Sequence, residues 1–220
     1  MLSAARRQPS ALLFAAQISA VLLYPFMEDS GVGRALFSVF GIAILGLVVL
    51  AVRSSPGLTW VSLLLALPAT VLLLIQAITD SDDLLPYSSA LEAVLYFYAA
   101  GALIAYMLAD HVITKDELFA VGATFTLVAW AFAFVYTVYQ AIEPASFTAG
   151  VDPDADRSWM ELLFLSFTTL SSTGLSDVVP VKPFARGLVM LEMLAGLGYV
   201  AMVVSRLVGL TVMRGTADHE

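Results

Sequence analysis

The sequence lacks cysteine and contains few charged residues. Of its 220 residues, 13% are charged and 60% are hydrophobic, and the mean hydropathy is +0.90. The absence of cysteine excludes disulfides and thiol chemistry. The small charged fraction excludes an ordinary soluble domain, in which about 25% of residues are charged. The net charge of -8 argues against a nucleic-acid partner, so the composition indicates an integral membrane protein.

Histidine is also scarce. His111 lies in a connection between apolar runs and His219 lies beside the C-terminus, so no histidine-based metal site or catalytic set is expected in the membrane. The chain has many serines but no base placed beside one. We therefore expect no enzyme activity, no catalytic residue and no cofactor, and a membrane enzyme is only a distant alternative.

Apolar runs long enough to cross a bilayer are abundant. A helix rises about 1.5 Å per residue, so a hydrocarbon core of about 30 Å needs roughly 20 apolar residues. Six runs meet this scale: Ala11–Phe26, Ala35–Val52, Leu58–Ile78, Ser88–Ala109, Leu118–Ile142 and Pro183–Met213. The first run follows Arg6 and Arg7, and a signal peptide is its alternative interpretation.

A seventh apolar run, Ser158 to Ser171, is too short to cross. Its roughly 14 residues make only about 21 Å of helix, which predicts a re-entrant half-helix. Asp156 or Ser158 can cap its start, and Glu161 suits the positive end of the helix dipole. The C-terminal end then directs partial negative charge into the bilayer, where it can meet a cation.

The half-helix leads into a hydroxyl-rich stretch, Ser166 to Pro180, which reads SFTTLSSTGLSDVVP. Non-helical backbone at membrane depth is tolerated only where protein buries it or water reaches it. A ring of backbone carbonyls can replace the hydration shell of a cation, which would account for such a stretch. The local alternative is that serine, glycine and aspartate merely end one helix and start another.

Thr169 to Val181 resembles the pore loop of tetrameric potassium channels, whose pattern is T-x-T-T-V-G-Y-G-D-x-x-P. Arg186 and Gly196 fall at the spacing of the arginine and hinge glycine of the inner helix in that family. The tail GYVAMVVSRLVGL looks like that of small bacterial pore-loop channels. The resemblance covers Leu118 to Leu210, and it implies a homotetramer because one loop cannot close a ring. The permeant ion would be potassium, with sodium as a second candidate.

The resemblance also assigns roles to individual residues. The implied filter and pore-helix residues are Ser172, Thr173, Gly174, Leu175, Ser176 and Asp177 for the filter, and Thr168, Thr169 and Ser171 for the pore helix. The permeant cation would meet the carbonyls of the first four filter residues. Ser176 replaces a left-handed glycine, so it should either bear strain of about 1–2 kcal/mol or alter the outermost site. Leu175 lacks the family's tyrosine hydroxyl, and Phe164 and Leu165 replace tryptophans, which should weaken ion discrimination.

Ionisable residues within the apolar runs need a partner or water. Glu192 either lines the cavity or senses pH, or it is a structural carboxylate bonded to a neighbouring helix, and both interpretations stay open. Glu92 lies near a helix end and is expected to reach the surface. In the loop before the half-helix, Asp152, Asp154 and Asp156 could suggest calcium. They lack the glycine and distal glutamate of a calcium loop, so a solvated acidic turret is expected.

The fold class predicted is an all-α membrane protein of about six spans plus one re-entrant pore half-helix. The arrangement is that of a voltage-gated channel without a charged sensor helix, because Ser88 to Ala109 contains no lysine or arginine. The predicted divisions are a four-helix unit at 1–113, a pore domain at 114–214 and a tail at 215–220. We expect no soluble ligand-binding domain after Arg214.

Basic residues predict the orientation. With both termini in the cytoplasm, they divide into an inner set (Arg6, Arg7, Arg53, Lys115, Arg206, Arg214) and an outer set (Arg34, Arg157, Lys182, Arg186). The sequence therefore predicts a multi-pass cation channel of the cell membrane, surrounded by lipid. The alternatives are a weakly selective cation channel and a non-conducting scaffold or accessory subunit.

Overall fold

A computed structural model describes residues 8–27, 31–53, 55, 57–79, 83–109 and 114–217. In this part of the chain there are seven helices and two short strands. They are α1 (Pro9–Met27), α2 (Gly31–Arg53), α3 (Thr59–Thr79), α4 (Leu85–Leu108), α5 (Lys115–Ile142), β1 (Phe147–Thr148), α6 (Trp159–Leu170), β2 (Val179–Pro180) and α7 (Pro183–Ala217). Several predictions fall on side chains outside the described part: Arg6, Arg7, Arg34, His111, Lys115, Arg214 and His219.

The predicted all-α membrane class is confirmed, whereas the predicted number of about six spans stays a prediction. Among the described residues, α1, α3, α4, α5 and α7 each contain a stretch long and apolar enough to span a bilayer. Helix α2 has 23 residues. Its described apolar stretch, Val39–Arg53, is shorter than the stretches in those five helices. Helix α7 begins at Pro183, as expected for a proline, whose fixed φ suits a first helical turn.

The first helix packs along α5 of the same chain. At its start, the backbone N–H and the hydroxyl of Ser10 donate to the two carboxylate oxygens of Asp116, over 3.2 and 2.9 Å. At its other end, the ring of Tyr24 lies 5.7 Å from the ring of Trp159, the first residue of α6. Helix α1 therefore runs parallel to α5, and it contacts the beginning of α6 in the same chain.

The N-terminal helices and the pore helices share one hydrophobic core. A single buried cluster includes residues from α1, α2, α4, α5 and α6, among them Leu13, Val48, Tyr96, Leu127 and Leu163. The predicted division falls between residues 113 and 114. Residues 110–113 lie outside the described part of the chain. The core nevertheless continues from α4 into α5, so the helices before residue 110 pack directly onto those after residue 114.

The expectation that Glu92 reaches the surface is wrong. Its side chain belongs to the buried side of α4 and the residue is only 5% exposed. One turn later, the ring of Tyr96 packs against Trp130 and Phe134 of α5, with ring centroids 6.0 and 5.6 Å apart. Because α4 is covered by α5 along this side, a carboxylate there cannot extend to water.

Candidate ion pore

The pore half-helix α6 is formed as predicted. Its 12 residues make only about 18 Å of helix, and a reciprocal cap fixes its start. The N–H of Glu161 donates to Ser158 Oγ over 3.3 Å, and the N–H of Ser158 donates to Glu161 Oε2 over 2.7 Å. This capping box satisfies two backbone donors at once, and it identifies Ser158 as the cap.

A left-handed residue ends α6. Ser172 has a φ of +60°, and its N–H donates to the carbonyl of Thr169 over 3.0 Å. The N–H groups of Thr173 and Gly174 both donate to the carbonyl of Thr168 over 3.0 Å. This is the hydrogen-bond pattern of a Schellman cap. The chain turns sharply out of the helix, and the carbonyl of Thr168 accepts two N–H groups from the residues that follow.

The expected strain at Ser176 is absent. The filter residues with positive φ are Ser172 and Gly174, the latter at +67°. Ser176 is not among them, and its hydroxyl accepts the N–H of Val178 over 3.1 Å. Of the two alternatives predicted for Ser176, left-handed strain is therefore ruled out, and an altered outermost site stays a prediction.

Replacing Ser172 with glycine should stabilise the protein. A left-handed conformation costs a non-glycine residue about 1–2 kcal/mol, and glycine's larger loss of backbone entropy offsets part of that cost. We expect a net gain in the free energy of unfolding of about 0.5–1 kcal/mol, measured by thermal unfolding in detergent.

Ser171→Gly is the matched control for this substitution. Ser171 has an ordinary φ of -77°, and its hydroxyl donates to the carbonyl of Phe167 over 2.6 Å. Glycine should therefore destabilise the protein at this position. A loss of stability in Ser172→Gly equal to that in Ser171→Gly would contradict the strained cap.

The segment predicted as the filter lies open on the surface of the single chain. Residues from Ser172 to Leu175 and the side chain of Asp177 are exposed, and Leu175 is 78% exposed. In contrast, Thr168 and Thr169 are 6% and 5% exposed. The open segment thus presents backbone and hydroxyl groups, while the helix before it is anchored in the protein.

Two short strands hold the chain after the filter. β1 pairs with β2 in antiparallel register, with Phe147 opposite Pro180, and the N–H of Val181 donates to the carbonyl of Ser146 over 2.9 Å. Phe147 and Val178 are each 1% exposed and belong to one buried cluster. Arg186 Nε donates to the carbonyl of Pro180 over 3.2 Å, so α7 is attached to the same segment.

Arg157 organises the loop before α6, residues 143–157, which we call the turret. Its guanidinium donates to the carbonyls of Val151, Asp152 and Ala155 and to the carboxylate of Glu161. Among the described residues, no group of three or more acids, histidines or cysteines is placed to hold a metal ion. The turret is therefore built around an arginine, whose guanidinium binds three of its carbonyls.

Gln140 of α5 fixes the backbone of Arg157. Its Oε1 accepts the N–H of Arg157 over 2.9 Å, and its Nε2 donates to the carbonyl of Arg157 over 3.0 Å. Sequence reasoning gave Gln140 no role. The signal that could have found it is a polar amide in an otherwise apolar span, which must find a partner.

The inner helix α7 is attached along one face, whose residues recur at spacings of three and four. These residues are Ala185, Val189, Glu192, Gly196, Tyr199 and Arg206. Tyr199 donates its hydroxyl to the carbonyl of Val121 over 2.6 Å, and Arg206 forms an ion pair with Glu117 at 3.0 Å. These two contacts anchor the middle of α7 to the first turns of α5.

Gly196 permits the closest contact of α7 with α6. The helix is continuous through this position. A Cβ atom on Gly196 would lie 2.1 Å from the carbonyl oxygen of Leu170. Its role as a hinge stays a prediction. The contact gives an independent reason for glycine, since a side chain would collide with backbone.

Glu192 is buried behind the pore half-helix. It is 0% exposed, accepts a hydrogen bond from the hydroxyl of Tyr136, and contacts the hydroxyl of Ser166. This position does not support the interpretation that Glu192 lines the cavity. Sequence reasoning predicted no role for Tyr136 or Ser166. Each places a hydroxyl group in an apolar helix, where it needs a hydrogen-bonding partner, and that need was the available signal.

Comparison with known proteins agrees with this geometry. Residues 123–212 match a family model described as an ion channel. Neither the curated proteins nor the solved structures gave a significant match to the chain. The matched region contains the second half of α5, the turret, the half-helix, the open segment and nearly all of α7. A short buried helix followed by an exposed loop between two long apolar helices is the arrangement predicted from the pore-loop resemblance. The chain therefore carries, over residues 123–212, an ion channel domain of the pore-loop cation channel superfamily.

Proposed function

We propose that the protein is a homotetrameric channel of the cell membrane that conducts monovalent cations passively and favours potassium. The observation that carries this proposal is the short helix α6, whose C-terminal end passes directly into the exposed segment Ser172–Asp177 inside an ion channel domain. Backbone carbonyls in such a segment can replace water around a cation. Both termini are proposed to be cytoplasmic.

A cation rather than an anion suits the charges around this segment. The C-terminal end of α6 carries the partial negative charge of a helix dipole. Asp177 is exposed five residues after Ser172, and it places a carboxylate at the proposed outer mouth. The first filter site would use the hydroxyl and carbonyl of Ser172, and the next sites would use the carbonyls of Thr173, Gly174 and Leu175.

The tetramer is supported by the surface of α7 opposite its attached face. Large apolar side chains on that surface are 47–67% exposed in the single chain, namely Met190, Leu191, Met193, Leu194, Leu197, Val200, Val204 and Val208. Other copies of the chain and lipid would cover them, because one copy supplies only one filter segment and cannot close a ring.

Weak selectivity is the second candidate, and Leu175 favours it. Its side chain is 78% exposed, so it makes no anchoring contact behind the filter within its own chain. The N–H groups of Ser172, Thr173 and Gly174 donate to the carbonyls of Thr168 and Thr169, and the hydroxyl of Thr173 lies 3.0 Å from that of Ser171. A filter that is anchored at its two ends but not behind Leu175 would discriminate less between potassium and sodium.

Ser176→Gly tests the filter directly. Wild-type protein in liposomes should pass potassium faster than sodium, and Ser176→Gly should raise the ratio of potassium to sodium permeability. Glycine restores the left-handed freedom that the family's filter uses at this place, although it removes the bond to Val178. Ser19→Ala is the control, since Ser19 is exposed on α1, and it should leave the permeability ratio unchanged.

The possible outcomes separate the candidates. A sodium permeability equal to that of potassium in the wild type would favour the weakly selective channel. A chloride reversal potential would contradict the proposal. So would the absence of cation flux from folded, tetrameric protein, and that second result would favour a scaffold.

A further inference from the structure

The buried site around Glu192 joins three helices of the ion channel domain. Tyr136 comes from α5, Ser166 from α6 and Glu192 from α7, and all three residues are 0% exposed. The hydroxyl of Tyr136 contacts Glu192 Oε2 and the hydroxyl of Ser166 contacts Glu192 Oε1. Ser166 Oγ also lies 2.7 Å from the carbonyl oxygen of Ala129 on α5.

The contacts of this site need more hydrogens than its hydroxyls supply. There are three short oxygen–oxygen contacts: Tyr136 to Glu192, Ser166 to Glu192, and Ser166 to the Ala129 carbonyl. A carbonyl and an ionised carboxylate can only accept, while each hydroxyl has one hydrogen to give. Tyr136 and Ser166 therefore provide two hydrogens, and one contact would join two oxygens without a hydrogen between them.

A proton on Glu192 supplies the third hydrogen that the three contacts need. Tyr136 then donates to Glu192 Oε2, the carboxylic acid donates from Oε1 to Ser166 Oγ, and Ser166 donates to the carbonyl of Ala129. Every contact has one hydrogen. No lone pair faces another, and the three helices are joined by one unbroken chain of donors and acceptors.

The charges around Glu192 point in the same direction. Three basic residues of the ion channel domain form ion pairs elsewhere: Arg157 with Glu161, Lys182 with Glu143 and Arg206 with Glu117. The group facing Glu192 from α5 is the neutral phenol of Tyr136, and the group facing it from α6 is the hydroxyl of Ser166. An ionised carboxylate without a cation partner is costly to bury, whereas a neutral acid with satisfied hydrogen bonds is not.

We propose that Glu192 is a positioning residue that carries a proton at neutral pH and, as a neutral acid, ties the inner helix to the pore half-helix. Ser166 lies six residues before Ser172, on the helix that ends in the proposed filter. Gly196 lies one turn after Glu192 on the same face of α7 and contacts the end of that helix at Leu170. The protonated acid thus holds the element that positions the filter. Its consequence for conduction rests on the proposed function.

Glu192→Gln is the diagnostic substitution. Glutamine offers its carbonyl oxygen to Tyr136 and one of its two N–H groups to Ser166, so at these two contacts it reproduces the hydrogen pattern of the neutral acid but not that of the carboxylate. Thermal unfolding of the full-length protein in detergent should give Glu192→Gln a midpoint close to that of the wild type. Glu192→Ala, which leaves both hydroxyls without this partner, should unfold at a clearly lower temperature.

Infrared difference spectroscopy reads the protonation state without requiring conduction. At neutral pH, the wild-type minus Glu192→Gln spectrum should contain the C=O stretch of a protonated carboxyl group. Glu92→Gln is a parallel control that removes another buried carboxyl, so the two difference spectra assign the band. In Ser166→Ala the acid loses its acceptor, and the Glu192 band should shift in frequency.

The results can overturn the proposal in two ways. A difference spectrum that contains only ionised carboxylate bands would show that Glu192 carries no proton. A midpoint for Glu192→Gln as low as that of Glu192→Ala would show that a neutral donor cannot replace this group. If Glu192→Gln does not fold, the wild-type minus Ser166→Ala spectrum decides, and an unshifted carboxyl band there contradicts the tie. An absence of ion flux alone would contradict the proposed function. It would not affect the infrared and unfolding measurements that test the protonation of Glu192.

Discussion

Gly196→Ala is expected to destabilise the ion channel domain by about 3 kcal/mol, at the upper end of the usual effect of overpacking. The added Cβ would lie 2.1 Å from the carbonyl oxygen of Leu170 and 2.8 Å from its carbonyl carbon. These are backbone atoms at the end of α6, so they cannot rotate away as the end of a side chain can. Helix α7 would have to move outward, which would also stretch the contacts of Glu192 one turn earlier.

The measurement is the free energy of unfolding of the full-length protein in detergent, together with potassium flux after reconstitution. Gly101→Ala is the matched control. A Cβ there meets no heavy atom within 4 Å, and alanine should stabilise α4 by about 0.5–1 kcal/mol through its better helix propensity. Equal stabilities of the two variants would contradict the close contact. A hinge role alone predicts altered gating in Gly196→Ala with little change in stability.

Arg157→Gln is expected to cost about 3 kcal/mol, the lower end of the effect of breaking a buried charge pair. The Arg157 side chain is 3% exposed, whereas Glu161 is 37% exposed, so solvent screens part of the lost ion pair. The remaining cost comes from three turret carbonyls that lose their donor. Because β1 of the turret pairs with β2 after the filter, the outer end of the proposed pore should loosen as well.

Two measurements test this expectation. Unfolding in detergent gives the loss of stability, and limited proteolysis should show new cleavage between residues 143 and 157. Lys182→Gln is the control, because it breaks an ion pair with Glu143 in which both side chains are 41–49% exposed, and such pairs contribute at most about 1 kcal/mol. A turret that stays resistant to protease in Arg157→Gln would show that Arg157 does not organise it.

Predictions from the sequence succeeded where the governing property is local. The half-helix at residues 159–170 followed from the length of its apolar run, and its cap, Ser158, was one of the two candidates that the sequence offered. The spans followed from hydropathy over about 20 residues. The place of the left-handed residue was missed, although it is also local, because alignment to a glycine-containing motif directed attention to Ser176 rather than to the cap residue Ser172.

The sequence by itself determined that the chain is a helical membrane protein with one half-helix and a hydroxyl-rich loop, since run length, capping and composition act over short stretches. Only the tertiary structure decided that Glu192 meets Tyr136 and Ser166, which are 56 and 26 residues away. It alone placed Gly196 against Leu170 and buried Glu92. The sequence shows that a polar residue in an apolar helix needs a hydrogen-bonding partner. Which helix supplies that partner depends on how the helices pack.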